Sequence, residues 1–102
     1  MGVRSRSRVS GAQFGLAISS SVITLTPPAI ATGAMAAEGF VRTGAVNFTR
    51  EGTDPSTTKG FTAYPDEIIK LNSRDEIDRF KAIRATSTDA TLDIEYFTDI
   101  SG

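Results

Sequence analysis

From Ala90 to Phe97 the chain reads Ala-Thr-Leu-Asp-Ile-Glu-Tyr-Phe, with Leu92, Ile94 and Tyr96 alternating strictly with Thr91, Asp93 and Glu95. A period of two is that of a β-strand with one apolar face and one wet face. Slipping such a strand by one residue would drive Asp93 and Glu95 into the core, where ionised groups without partners are costly. The segment therefore fixes its own register and commits the chain to a β fold.

Other segments repeat this grammar in short pieces. Strands are expected at Met35–Thr43, at Ala45–Arg50 with Val46 and Phe48 facing inward, at Gly60–Tyr64, at Glu67–Leu71, at Phe80–Ala85, and near Val22–Thr26. Glu51-Gly52-Thr53-Asp54-Pro55-Ser56-Thr57-Thr58 is a turn-rich loop and the expected outward tip of the domain. In Ser73-Arg74-Asp75-Glu76-Ile77-Asp78-Arg79, Ser73 and Glu76 have capping-box spacing, which predicts one short helical turn near 74–79 that plugs an end of the sandwich. Short strands separated by turns at near-regular spacing predict an all-β fold, a small β-sandwich of jelly-roll type. A three-residue loop within the turn Thr86-Ser87-Thr88-Asp89 would make the last two strands a hairpin, with Phe80 opposite Tyr96, Ala82 opposite Ile94 and Lys81 opposite Glu95, whereas a two- or four-residue loop would pair Ile83 with Leu92.

The first third of the chain differs in composition. Residues 1–33 carry Arg4, Arg6 and Arg8 and no acid, a balance of +3, whereas residues 34–102 carry eight basic and twelve acidic residues, a balance of −4; together they give the net −1. The expected division is therefore 1–33, a basic extended arm with one strand and the Pro27-Pro28 break, and 34–102, the sandwich. Residues 1–15, with Gly2, Gly11 and Gly15, are expected to order only against a partner. A basic start, an apolar stretch from Phe14 to Ala31 and Gly33-Ala34-Met35-Ala36, ending as a cleavage site would, imitate a secretory leader. Ser19-Ser20-Ser21 interrupts that apolar stretch and Pro27-Pro28 breaks it, so the expectation is that the segment belongs to the mature chain. No apolar run approaches the ~18 residues that span a membrane.

The chain has no Cys and no His. This removes disulfides, thiolate chemistry, Cys/His zinc sites and the usual nucleophilic triads, leaving carboxylates, Lys, Tyr and hydroxyls. Asp93 and Glu95, on one side of one strand, are the paired acids that a carboxylate hydrolase or a cation site would use; a solvated strand face explains them as well. Asp75, Glu76 and Asp78 suit a helix N-terminus better than a calcium loop. Expected catalytic residues, cofactor-binding residues and metal ligands are therefore none. Arg4, Arg6 and Arg8, alternating with serines, supply salt-sensitive attraction to phosphate or to an acidic protein surface; with Phe14 they are the expected assembly contacts. Without aromatic interleaving the arm lacks the stacking platform of a single-strand binder, so nucleic-acid contact is expected only through the arginines. Asn47-Phe48-Thr49 spells a glycosylation acceptor, but inside a predicted strand it reads as a chance match.

The run Glu-Gly-Phe-Val-Arg-Thr-Gly-Ala-Val-Asn-Phe-Thr-Arg from Glu38, with Ala-Tyr-Pro-Asp-Glu-Ile-Ile-Lys-Leu-Asn-Ser, Arg-Phe-Lys-Ala-Ile-Arg-Ala and the closing Thr-Leu-Asp-Ile-Glu-Tyr-Phe, resembles small virion structural proteins of tailed bacteriophages. The likeness covers about the last two thirds of the chain; the segment to Gly33 lies outside the pattern. It implies a non-enzymatic head decoration or cement subunit without a cofactor, located in the virion. Implied partners are the major capsid or other virion proteins and further copies of the chain, with a trimer favoured, and no membrane. Alternatives are a tail or head-tail connector accessory protein, or a carbohydrate-binding sandwich, although the absence of Trp and the presence of only two Tyr make a poor sugar platform.

Overall fold

A computed structural model describes residues 9–25 and 33–98. Within them run β1 (Val9–Ile18), β2 (Ile23–Thr24), β3 (Ala36–Arg42), β4 (Val46–Thr49), β5 (Phe61–Ala63), β6 (Ile68–Leu71), α1 (Arg74–Arg79), β7 (Lys81–Arg84) and β8 (Ala90–Phe97). The strands form two four-stranded sheets in the orders β1-β8-β3-β6 and β2-β7-β4-β5. β1 pairs with β8, β2 with β7, β3 with β6 and β4 with β5, all antiparallel, as the successive rungs of one long hairpin whose tip is the β4–β5 connection. Wrapping that hairpin on itself brings β8 beside β3 and β7 beside β4. The result is the eight-stranded jelly-roll order, a small all-β sandwich as the alternation predicts.

This topology overturns the expected hairpin of the last two strands. β7 lies between β2 and β4, and β8 lies between β1 and β3, so the two consecutive strands belong to opposite sheets. Ala82 faces Ile23 and Phe48 across its ladders, while Ile94 faces Gln13 and Gly39. Each strand exposes backbone groups along both edges, and flanking it on both sides satisfies twice as many as a lone hairpin would. Phe80 and Tyr96, both without solvent exposure, thus share a core between sheets instead of a rung within one.

A second correction concerns the arm. Residues 9–15 are part of β1, an edge strand held along β8, so the sandwich draws strands from both sides of the expected division at residue 33. β2 falls within the segment expected to hold a strand. Arg4, Arg6, Arg8 and Pro27-Pro28 lie outside the described residues.

The core is one cluster that includes Ile18, Val41, Val46, Phe48, Ile69, Leu71, Ile77, Phe80, Leu92, Ile94 and Tyr96. Each large side chain sealed there contributes roughly 1.5–3 kcal/mol. Phe48 and Phe80 stack with ring centroids 5.9 Å apart. Gly39 sits where Leu92 comes closest to β3: a Cβ there would lie 3.1 Å from Leu92 Cδ1. The helical turn forms as its spacing predicts, with Ser73 Oγ accepting from the Glu76 amide at 3.1 Å. The Glu76 carboxylate accepts from Asn72 N, one residue before the cap, and Ile77 plugs the core.

Candidate functional site: the open face of the first sheet

The two outer faces of the sandwich are treated differently. Over β4, in the middle of the β2-β7-β4-β5 sheet, the chain covers itself, while Phe61 on the edge strand β5 stays 64% exposed. Every residue of β4 is buried on both faces, because residues 51–59 lie down on the outward-pointing Asn47 and Thr49. Asn47 Nδ2 donates to Ser56 O at 2.8 Å and its Oδ1 accepts from Thr62 Oγ1 at 2.6 Å; Thr49 Oγ1 donates to Thr53 O. Lys81 Nζ reaches Asp54 at 2.7 Å and ties the loop to β7. The loop expected to be an outward tip is exposed along most of its length and also lies down on its own sheet. Its sequence hid this, since turn residues specify local bends and not the surface they land on.

Over the β1-β8-β3-β6 sheet no segment among the described residues plays that part. The outward residues form ordered rows: Ala12, Glu95, Glu38 and Lys70 in one, Asp93, Phe40 and Ile68 in the next, and Ala17, Thr91 and Arg42 in a third. They line an open groove of about 280 Å³ that includes Ala12, Phe14, Phe40, Ile68, Glu38 and Glu95. Phe14 is 78% exposed and Ile68 52%, far more than a sheet face intended only for water requires of large apolar groups.

A β-bulge places Phe14. Gln13 pairs with Ile94 and Leu16 with Leu92, so Phe14 and Gly15 together oppose Asp93. The extra residue resets the alternation, so Leu16 and Ile18 return to the core side while Phe14 stands on the groove. Gly15 takes φ +69°, a left-handed conformation that glycine adopts without strain. Its amide donates to Asp93 Oδ1 at 2.8 Å, and Arg42 Nε donates to Asp93 Oδ2 at 2.9 Å. The Gly15 amide first, then Arg42 by hydrogen bond and charge, hold the Asp93 carboxyl below its ordinary range. Arg42 in turn lies over the Phe40 ring, 4.8 Å from its centroid.

Of the two acids that stand out in the sequence, Asp93 is therefore an ionised clamp that locks the bulge, with both oxygens engaged. Glu95 stands directly opposite Glu38, two carboxylates side by side on the open face, with Lys70 beyond Glu38 on β6. Glu38, Phe40 and Ile68 do not stand out as site residues in the sequence. Their signal is the alternation of Glu38, Phe40 and Arg42 against Ala37, Gly39 and Val41, but only pairing with β8 brings Glu38 to Glu95. Among the described residues no three acidic side chains gather as a metal site would need, and no helix is long and apolar enough to cross a membrane. Asn47 is 4% exposed with its amide engaged at both ends, so the folded chain presents no acceptor there. Comparison with protein-family models found no match, and neither did comparison with curated proteins or with solved structures.

Proposed function

We propose that this chain is a non-enzymatic structural subunit that docks through the outer face of its β1-β8-β3-β6 sheet, in the setting of a phage head as a decoration or cement protein. The difference between the two faces carries this reading: one is covered over its central strand β4 by the chain's own loop, the other displays Phe14 and Ile68 around an open groove beside two adjacent acidic residues. Exposed apolar anchors within a charged surround are the composition of an interface core and its rim. Asp93 is held as a fixed anion, a poor choice for a proton donor. The resemblance to virion proteins supplies the setting; the face supplies the means.

The test is co-sedimentation of the purified chain with phage heads assembled without it. Saturable binding, abolished by Phe14→Ser and unaffected by the exposed loop substitution Thr57→Ala, is the expected result. Failure of the wild-type chain to bind any stage of the head overturns the decoration reading. An exposed ring beside carboxylates also favours, as a second reading, a sugar stacked on Phe14 and hydrogen-bonded by Glu38 or Glu95. A glycan array separates the two.

A further inference from the structure

We infer that the occupant of the open groove is the basic N-terminal arm of a second copy of this chain, with Arg4, Arg6 and Arg8 meeting Glu38 and Glu95. The inference rests on the proposed docking role of this face and names its partner. Charge complementarity carries it. Glu38 and Glu95 face each other across β3 and β8, where like charges directly opposite destabilise a sheet unless a cation comes between them. Lys70 stands opposite Glu38 on β6 and leaves Glu95 without a neighbouring cation in the row; neither acid has a hydrogen-bond or ion-pair partner among the described residues, whereas Asp93, one row away, has two. The groove therefore calls for a cationic occupant with apolar stems.

The chain contains one segment of that chemistry. Arg4, Arg6 and Arg8 alternate with Ser5 and Ser7, and an extended strand would place all three guanidinium groups on one side, about 6.6 Å apart. Arginine stems pack on apolar surface while their heads reach carboxylates, and guanidinium over an aromatic ring adds to this. The face already uses that contact once, in Arg42 over Phe40. Phe14 offers the next ring. Within one copy Val9 stands beside Phe97, at the end of the sheet and away from the Phe14–Ile68 row, so the arm that meets the groove is a neighbouring copy's. Such a contact joins two different patches, so it forms a ring where the rotation closes, as in the expected trimer, and an open filament where it does not.

Sedimentation velocity on the full-length chain tests this. The wild-type chain is expected to self-associate, about tenfold more weakly at ~0.5 M than at ~0.05 M salt. Arg4→Glu/Arg6→Glu/Arg8→Glu and, separately, Glu38→Arg/Glu95→Arg are each expected to weaken association about tenfold or more, and combining all five to restore it. A synthetic peptide of residues 1–8 should compete with the wild-type assembly. Circular dichroism of each variant confirms folding, and the restored combination guards against misfolding as the cause. A wild-type chain that stays monomeric overturns the inference, leaving the docking reading to the head co-sedimentation. Association that survives arm reversal but is lost in Phe14→Ser overturns the arm as occupant and keeps the docking face. Association indifferent to arm, carboxylates and Phe14 alike overturns both.

Discussion

Replacing Gly15 by Ala tests the bulge on which the groove depends. At φ +69° an L-residue incurs a steric cost of about 1–2 kcal/mol. A Cβ at Gly15 would meet nothing within 4 Å, so the whole effect is backbone strain and not a clash. The alternative for the variant is to abolish the bulge and let β1 run on in phase. That would turn Leu16 and the fully buried Ile18 toward solvent, and Ile18 alone is worth roughly 1.5–3 kcal/mol. With the loss at Leu16 added, straightening costs more than strain, so the bulge persists under tension. Guanidinium denaturation should show Gly15→Ala less stable by about 1–2 kcal/mol with an unchanged m-value, and thermal unfolding a Tm lower by about 5–15 °C. Gly15→Asn should lose less, because Asn tolerates the left-handed region better than Ala. A Gly15→Ala protein as stable as the wild type, or an Asn variant worse than the Ala variant, would refute the bulge and with it the placement of Phe14.

Tyr96, Asn47 and Asp93 give further tests of the same structure. The Tyr96 hydroxyl is buried without a hydrogen-bond partner among the described residues, so Tyr96→Phe should be neutral or stabilising by up to ~3 kcal/mol in chemical denaturation; a loss above ~1 kcal/mol would show that the hydroxyl holds a bridging group. Burial raises the Tyr96 phenol above its ordinary 10.0, so the unfolded chain releases that proton first: stability should be intact below pH 10 and fall above it, and less so in Tyr96→Phe. Asn47→Ala removes the partner of both Ser56 O and Thr62 Oγ1 and should cost about 1–3 kcal/mol, with limited proteolysis now cutting within 51–59. Asp93 is held below its ordinary 3.8 by the Gly15 amide and Arg42, so as pH falls the unfolded state takes up its proton first. Its contribution should be whole above that value and lost as pH drops through the lowered one, and Asp93→Asn should flatten the acid limb of the stability curve.

Local patterns in the chain determined whatever depends on near neighbours. The alternation of Ala90–Phe97 settled a strand and its two faces, since period two can be read without knowing the partner strand. Ser73 and Glu76 marked the helical turn because a cap is a contact three residues long. Val46 and Phe48 pointed inward as expected. Tertiary structure decided which strands pair: in a jelly roll only β4 and β5 are neighbours in both sequence and sheet, so a loop length after β7 says nothing of the partner of β8. It also decided that the 51–59 loop lies down over Asn47, that Phe14 belongs to a strand rather than an arm, and that Glu38 stands against Glu95. Each of these joins residues far apart in the chain. The closing strand announced its wet face by itself; what that face is next to, and therefore what it can hold, came only with the fold.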